Sequence, residues 1–171
     1  FGVLDFKTRE CLIEAKGYYK LSKSYWRKSC HTSAIVKASD NKYLMVELSG
    51  KSMNEEKIDF LGGIMETSPP IKSGHDIFES LYKELQEEAF IEKKDIFNSF
   101  LKLIYITAKT NIGFYFEIIL KITSKELLKR FDKNIKDVDI KSLKIMSRTN
   151  LIKNLKNLNS NKKFIASQIE I

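Results

Sequence analysis

Residues 58–90 read IDFLGGIMETSPPIKSGHDIFESLYKELQEEAF, and the organisation of the chain is predicted outward from this stretch. The segment 58–60 leads into the glycine pair Gly62 and Gly63. Paired glycines after a short apolar run indicate a strand whose backbone bends or lies close to another group, because glycine has no side chain to intervene. Both prolines of the chain stand at 69 and 70, so residues 67–74 are predicted to form a loop.

A helix is predicted from about residue 76 to residue 89. Asp76, followed three residues later by Glu79, resembles a capping box, which marks the start of a helix. Large apolar side chains then recur at helical spacing and form one stripe, which predicts that this side of the helix is buried. The stripe consists of Phe78, Leu81, Tyr82, Leu85 and Ala89.

Three glutamates share another face of the same helix. Glu84, Glu87 and Glu88 fall within an arc of about 100° when successive residues are placed 100° apart. Like charges at this spacing repel one another, so the cluster needs either open solvent or a cation. Carboxylate oxygens are ligands that suit Mg²⁺ or Mn²⁺ rather than zinc. A solvated acidic face is the alternative that the residues by themselves leave open.

The segments 61–66 and 83–88 resemble the Nudix box, whose pattern is Gly, five residues, Glu, seven residues and then Arg-Glu-apolar-any-Glu-Glu-any-Gly-apolar. In that family the carboxylates bind magnesium or manganese and activate a water that attacks a diphosphate joined to another moiety. The resemblance implies that Glu84, Glu87 and Glu88 are both metal ligands and catalytic residues, with the Gly63 carbonyl as a further ligand. It also implies a nucleotide-type substrate.

The chain departs from the box at three positions. Lys83 stands at the usual arginine and has no planar fork to hold a carboxylate with two hydrogen bonds. His75 stands where counting back seven residues places the family's glutamate, since the loop carries about six extra residues. Phe90 replaces a glycine at a position that favours a left-handed backbone, so the helix is predicted to end differently.

Further residues are predicted to support the site. Glu66 and Glu79 are candidates for a replacement partner of Lys83, and Gly62 supports the close approach of the backbone. Glu117 lies in a predicted strand and is an additional candidate ligand or base.

The rest of the chain predicts a mixed α/β fold. Residues 32–38 and 42–49 form one predicted hairpin, and 100–107 and 112–122 form another, because β-branched and aromatic runs are separated by turn-forming residues. Amphipathic helices are predicted at 124–131 and 150–158. Together with the box, this order resembles the Nudix family's α/β/α sandwich with a central mixed sheet.

Composition is that of one globular domain over residues 1–171. The chain is 43% apolar and 30% charged, which excludes a disordered class. No stretch approaches the roughly 18 apolar residues of a membrane helix. Two cysteines without metal-ligand spacing are typical of a reducing compartment, so a cytoplasmic location is expected. Residues upstream of Phe1 and the oligomeric state are left open.

The formal charge of +8 is concentrated in residues 121–171, a region predicted to be helical, which holds 13 basic and 5 acidic residues. A basic region of this kind attracts RNA or polyphosphate, although a solvated lysine-rich helix face gives the same pattern. The leading hypothesis is metal-dependent hydrolysis of a phosphoanhydride in a nucleoside diphosphate linked to another moiety. The alternatives are a Nudix-like binding or regulatory module that hydrolyses weakly or not at all, and an enzyme that processes capped or 5′-phosphorylated RNA.

Overall fold

A computed structural model describes residues 30–49, 58–65, 71–106, 112–134 and 140–156. The strands in these ranges are β1 (Cys30–Lys37), β2 (Tyr43–Leu48), β3 (Ile58–Asp59), β4 (Leu61–Ile64), β5 (Ile96–Ile106), β6 (Ile112–Leu120) and β7 (Ile140–Met146). The helices are α1 (Gly74–Ala89), α2 (Ser124–Asn134) and α3 (Arg148–Lys156), and a 3₁₀ turn covers Lys93–Asp95.

The strands form one mixed sheet in the order β3-β2-β1-β6-β5, with β4 also paired to β1 and β7 to β2. Only the β1–β6 pair is parallel among the described strands. The predicted hairpins are both present, since β1 pairs antiparallel with β2 and β5 with β6. Asn41 turns the first hairpin with a positive φ of 60°, a conformation that asparagine tolerates better than most residues.

Strand β1 separates two apolar cores. Ala34 and Val36 are fully buried and pack with α1 and α2, through side chains such as Leu85 and Phe131. Successive side chains of a strand point to opposite faces, so Ile35 lies on the other face, in a core that includes Leu151 of α3. Helices therefore cover both faces of a mixed sheet, which confirms the predicted sandwich.

Helix α1 begins earlier than the capping pattern predicted. Ser73 is the N-cap, and its hydroxyl accepts a hydrogen bond from the backbone N–H of Asp76, whose own carboxylate accepts one from the Ser73 N–H. Asp76 is thus the third residue of the helix and completes the capping box, rather than being the cap. The buried side of the helix is as predicted, with Leu81, Leu85 and Ala89 in the core.

The end of α1 corrects a second expectation. Phe90 takes the left-handed backbone that the family's glycine would take, with φ 55° and ψ 33°. The Ile91 N–H donates to the Leu85 carbonyl, which closes the last turn. The Phe90 ring packs against Phe131 at 6.0 Å between centroids, and Arg130 donates to the Phe90 carbonyl. These contacts offset the steric cost of the left-handed conformation, so the helix ends in the ordinary way with an unusual residue.

The basic region predicted to be helical also contributes a strand. β7 pairs antiparallel with β2 over Tyr43–Leu48, between the helices α2 and α3. Glu47 of β2 accepts hydrogen bonds from Ser142 and Lys144 there. Part of the positive charge of the basic region therefore pairs with an acidic residue of the sheet. Within the described ranges, no helix is long and apolar enough to cross a membrane.

The left-handed backbone at Phe90 predicts that glycine is more stabilising than alanine there, the reverse of their usual order in a helix. Phe90→Gly and Phe90→Ala both lose the ring, but only alanine keeps the steric cost of the left-handed backbone, which is about 1 kcal/mol. We expect Phe90→Gly to be more stable than Phe90→Ala in urea unfolding. Gln86, which is exposed within α1, is the control, because there alanine should exceed glycine by about 1 kcal/mol. The same order at both positions would contradict the left-handed cap.

Candidate active site

The glycine pair of β4 meets the carboxylate face of α1. The Gly62 N–H donates to Glu88 Oε2 at 2.9 Å. A β-carbon at Gly63 would lie 2.5 Å from Oε1 of Glu84, so the Glu84 carboxylate lies directly against the bare backbone. The close approach predicted from the two glycines is confirmed, and the group approached is the predicted carboxylate face.

Gly62 is required by the backbone as well as by space. Its φ of 141° is one that residues with side chains rarely adopt, and a β-carbon there would lie 2.1 Å from the Thr32 carbonyl oxygen. Thr32 lies opposite Gly63 in the β1–β4 pairing and is fully buried. Its hydroxyl has no hydrogen-bond partner within the part of the chain that the structure describes. Burying a hydroxyl without a partner costs about 1–3 kcal/mol.

Glu88 occupies an unfavourable environment for a negative charge. Burial raises its pKa to about 8, against the opposing effect of the Gly62 hydrogen bond. The charges of Glu84, Asp59 and Glu87 add to the increase. A carboxyl group whose pKa is raised this far is stabilised either by binding a proton or by a nearby cation.

Asp59 belongs to the same cluster and was missed in the sequence. It ends β3, and burial raises its pKa to about 6, although a hydrogen bond from the Phe60 N–H opposes the increase. Its charge acts on Glu88, so the two carboxyl groups are electrostatic neighbours. The available signal was an acidic residue inside the apolar run that precedes the glycine pair.

The remaining predicted residues lie at different distances from this cluster. Glu87 is exposed on α1, beside Glu88, and Lys83 is exposed on the same helix. Glu79 accepts a salt bridge from Lys93 at 2.7 Å, so its carboxylate is engaged away from Lys83. Glu66 lies outside the described residues.

Glu117 lies on the other face of the sheet. Its strand neighbours Phe116 and Ile118 pack in the core under α1, and strand alternation therefore turns Glu117 away from that helix. Its carboxylate is paired with Lys102 of β5 at 2.9 Å. The structure thus does not bring Glu117 together with the α1 carboxylates.

His75 does not replace the family's loop glutamate. It is the second residue of α1, where it lies 3.7 Å from Glu79. It stands eight positions before Lys83 in the same helix, which is a rise of about 12 Å. The two side chains therefore do not form the pair that steadies the loop in the family.

The donor set fits a hard divalent cation in chemistry but is not closed around one point. Within the described ranges, no group of three or more His, Cys, Asp and Glu side chains is arranged to hold a metal ion. Glu84, Glu88 and Asp59 nevertheless supply only carboxylate oxygens, the donors that Mg²⁺ and Mn²⁺ prefer. Burial raises the pKa values of Glu88 and Asp59, so a cation bound beside them would stabilise their ionised forms.

An aromatic cluster adjoins the carboxylates on the face opposite α1. The Tyr105 hydroxyl and His31 Nε2 are 2.6 Å apart, and Tyr115 lies 5.3 Å from Tyr105 between ring centroids. Burial raises the pKa of Tyr105, and the charge of Asp59 adds to the increase. The charge of Asp59 therefore acts on both the aromatic cluster and Glu88. Gly113 leaves room for this arrangement, since a β-carbon there would lie 2.0 Å from the Tyr105 ring.

Three solved structures resemble this one at low sequence identity. DR0079 from Deinococcus radiodurans matches with a TM-score of 0.58 and 15% identity, over 83% of this chain and 81% of its own. A Nudix hydrolase from Nitrosomonas europaea matches with a TM-score of 0.50 and 17% identity, over 85% of this chain and 97% of its own.

The third is a bifunctional NMN adenylyltransferase/ADP ribose pyrophosphatase from Francisella tularensis, in complex with AMP and a manganese ion. It matches with a TM-score of 0.54 and 18% identity, over 85% of this chain. The match spans only 41% of that enzyme's length.

Neither models of known protein families nor curated proteins give a match to this sequence. The structural matches are at identities that establish architecture rather than activity. They agree with the mixed sheet and with helices on both of its faces. The chain therefore has the Nudix fold, in a form divergent in sequence.

Proposed function

We propose that this protein is a divalent-metal-dependent hydrolase that cleaves a phosphoanhydride in a nucleoside diphosphate linked to another moiety. One observation carries the proposal: β4 holds the carboxylates of Glu84 and Glu88 directly against its glycine backbone. Acidic side chains on a merely solvated helix face would extend into water instead.

Glu84, Glu87 and Glu88 would hold Mg²⁺ or Mn²⁺, with the Gly63 carbonyl as a further oxygen donor. Glu87 is exposed and shares the helix face, so a change of its side-chain rotamer would bring a third carboxylate to the cluster. Bound there, the metal would neutralise the diphosphate and lower the pKa of a water molecule. The manganese-containing Francisella tularensis structure supports the choice of metal.

The chain's own contribution is to orient the carboxylates and to accept a proton. Gly62 fixes Glu88 through its N–H, and the bare Gly63 backbone fixes the position of Glu84. As the water oxygen bonds to phosphorus, the bridging phosphorus–oxygen bond breaks and the water proton passes to a carboxylate. Asp59 is placed for that last role, because it adjoins Glu88 and its pKa of about 6 suits a base near neutral pH.

The moiety linked to the diphosphate would extend past Asp59 towards Tyr105 and His31, because the charge of Asp59 acts on both Glu88 and Tyr105. Both side chains are partly exposed, and aromatic faces of this kind stack on nucleobases. Which nucleotide is cleaved is an experimental question. A screen with Mg²⁺ or Mn²⁺ over nucleoside diphosphate sugars, dinucleoside polyphosphates, nucleoside triphosphates and capped RNA answers it through the nucleotide products. Binding without turnover would favour the regulatory-module alternative.

The first prediction concerns the two carboxylates that β4 holds. Glu84→Gln and Glu88→Gln keep the shape of the side chain and remove a charge, so each should lower kcat by about 100-fold or more with Mg²⁺. Glu79→Gln is the matched control on the same helix, because its partner is Lys93, and it should retain kcat. Equal rates for all three variants would contradict the assignment.

The second prediction concerns pH and metal. In metal-free protein, the free energy of unfolding should fall as pH rises from about 5 to about 8. The unfolded chain releases the Glu88 proton near the ordinary pKa of 4.5, whereas the folded protein keeps it up to about 8. Each such carboxyl contributes a slope of up to about 1.4 kcal/mol per pH unit. Asp59, with a pKa of about 6, acts over the lower part of the range.

Saturating Mg²⁺ or Mn²⁺ should flatten this slope, because a bound cation stabilises the ionised carboxylates of the folded protein. Urea unfolding at several pH values, with and without metal, measures the effect. Glu88→Gln should show a smaller slope and a smaller metal response. A slope that metal leaves unchanged would count against a metal site at these residues.

The third prediction separates the two glycines. Gly63→Ala should lower kcat by about tenfold or more, since its β-carbon displaces the Glu84 carboxylate, while the stability changes by less than about 1 kcal/mol. Gly62→Ala should lower stability by more than about 2 kcal/mol, because it meets the Thr32 backbone at a strained φ. Thermal unfolding and initial rates distinguish the cases. An unaltered rate in Gly63→Ala would show that the position of Glu84 is unimportant.

A further inference from the structure

Strand β5 lies at one end of the strand order and exposes an unusual number of large apolar side chains. Among the described strands it pairs with β6 alone, so its other edge has no strand partner in those ranges. The exposed fractions are 70% for Phe97, 42% for Phe100, 48% for Leu101, 39% for Leu103 and 54% for Ile104. A run of this kind on an open edge is a template for pairing with another strand.

The exposed side chains lie on both faces of the sheet. Leu101 and Ile104 are opposite Phe116 and Phe114 of β6, whose rings belong to or pack against the core under α1. Phe100 and Leu103 are opposite Glu117 and Tyr115 and lie on the other face. An added strand would therefore extend both apolar surfaces and also satisfy the open main-chain edge.

The strand is close to electrically neutral although the chain carries +8. Lys102 is the only charged residue in Ile96–Ile106, and its ammonium is paired with Glu117 at 2.9 Å. In an antiparallel pair of two β5 strands, pairing centred on Phe100 places Lys102 opposite Asn98. Pairing centred on Leu101 places Lys102 opposite Phe100. Neither register sets two Lys102 residues directly against each other.

The exposed apolar area is sufficient for a dimer. Side chains of this size bury about 150–250 Å² each, so the exposed fractions correspond to about 400–600 Å² in each copy. Two copies would bury at most about 800–1,200 Å² from these five residues alone. Main-chain and flanking contacts would carry the total past the roughly 1,000 Å² expected of a specific interface.

We propose that β5 is a homodimer interface, in which the β5 strands of two copies pair antiparallel and join their sheets. This inference concerns assembly and does not depend on the proposed hydrolase activity.

Sedimentation velocity over low to high micromolar protein tests the interface. The parent chain should dimerise, and Ile104→Lys should weaken the dimer by at least about tenfold, because it places a charge in the apolar edge. Ile152→Lys is the matched control, since Ile152 is an exposed isoleucine of α3 at 38% and receives the same added charge. Added salt should maintain or strengthen the parent dimer, because screening reduces repulsion between two positive chains.

Hydrogen exchange locates the contact independently of these variants. The amides of β5 whose N–H groups face away from β6 should exchange more slowly as the parent concentration rises, and Ile104→Lys should remove that dependence. A parent that stays monomeric throughout overturns the proposal, whether the edge is left open or covered by residues of the same chain. A dimer that Ile104→Lys leaves intact, with β5 exchange independent of concentration, also overturns it, because the copies then meet at another surface.

Discussion

The contact between the β4 glycines and the α1 carboxylates constrains most of the site. It needs a strand segment without side chains and a helix whose carboxylates face that segment. It also needs a buried apolar face that fixes the rotation of the helix about its own axis. Leu81 and Leu85 supply the last requirement, because their burial turns Glu84 and Glu88 towards β4. Helical periodicity then leaves Glu87 nearer to solvent. A rotation of α1 that exposed the leucines would also remove both carboxylates from the strand.

The same contact carries an electrostatic cost. Glu88 is held by one backbone N–H while its neighbours are carboxyl groups, and its pKa rises accordingly. Asp59 meets a similar environment at the end of β3. In contrast, Glu47 receives hydrogen bonds from Ser142 and Lys144, and its pKa is lowered to about 2. Lysine thus lowers the pKa of a carboxylate at the β2–β7 pair, whereas burial and neighbouring carboxylates raise the pKa of Glu88 at the glycine pair.

The end of α1 shows how a left-handed backbone conformation is kept when another residue replaces the glycine that usually adopts it. Phe90 adopts a glycine-like conformation because Phe131 and Arg130 fix its ring and its carbonyl. His75 does not take the role of the family's loop glutamate, because it has become part of α1. At Phe90, contacts from α2, which is distant in sequence, therefore support a backbone conformation that glycine would adopt without them.

Local pattern determined α1, the two hairpins, the mixed α/β class and the close approach at the glycines, since helical and strand periodicities and glycine spacing are properties of adjacent residues. The sandwich followed from the resemblance to the Nudix family. The carboxylates of Glu84 and Glu88 followed from the same periodicity. The position of Asp59 within an apolar run did not reveal its neighbour Glu88, which comes from a distant element. Sequence also could not exclude Glu117, because the face on which it lies depends on strand register. Only the tertiary structure decided the left-handed end of α1 at Phe90, the use of β7 within a lysine-rich region and the apolar edge of β5. Each of these depends on which distant residues pack together, and spacing along the chain does not encode that information.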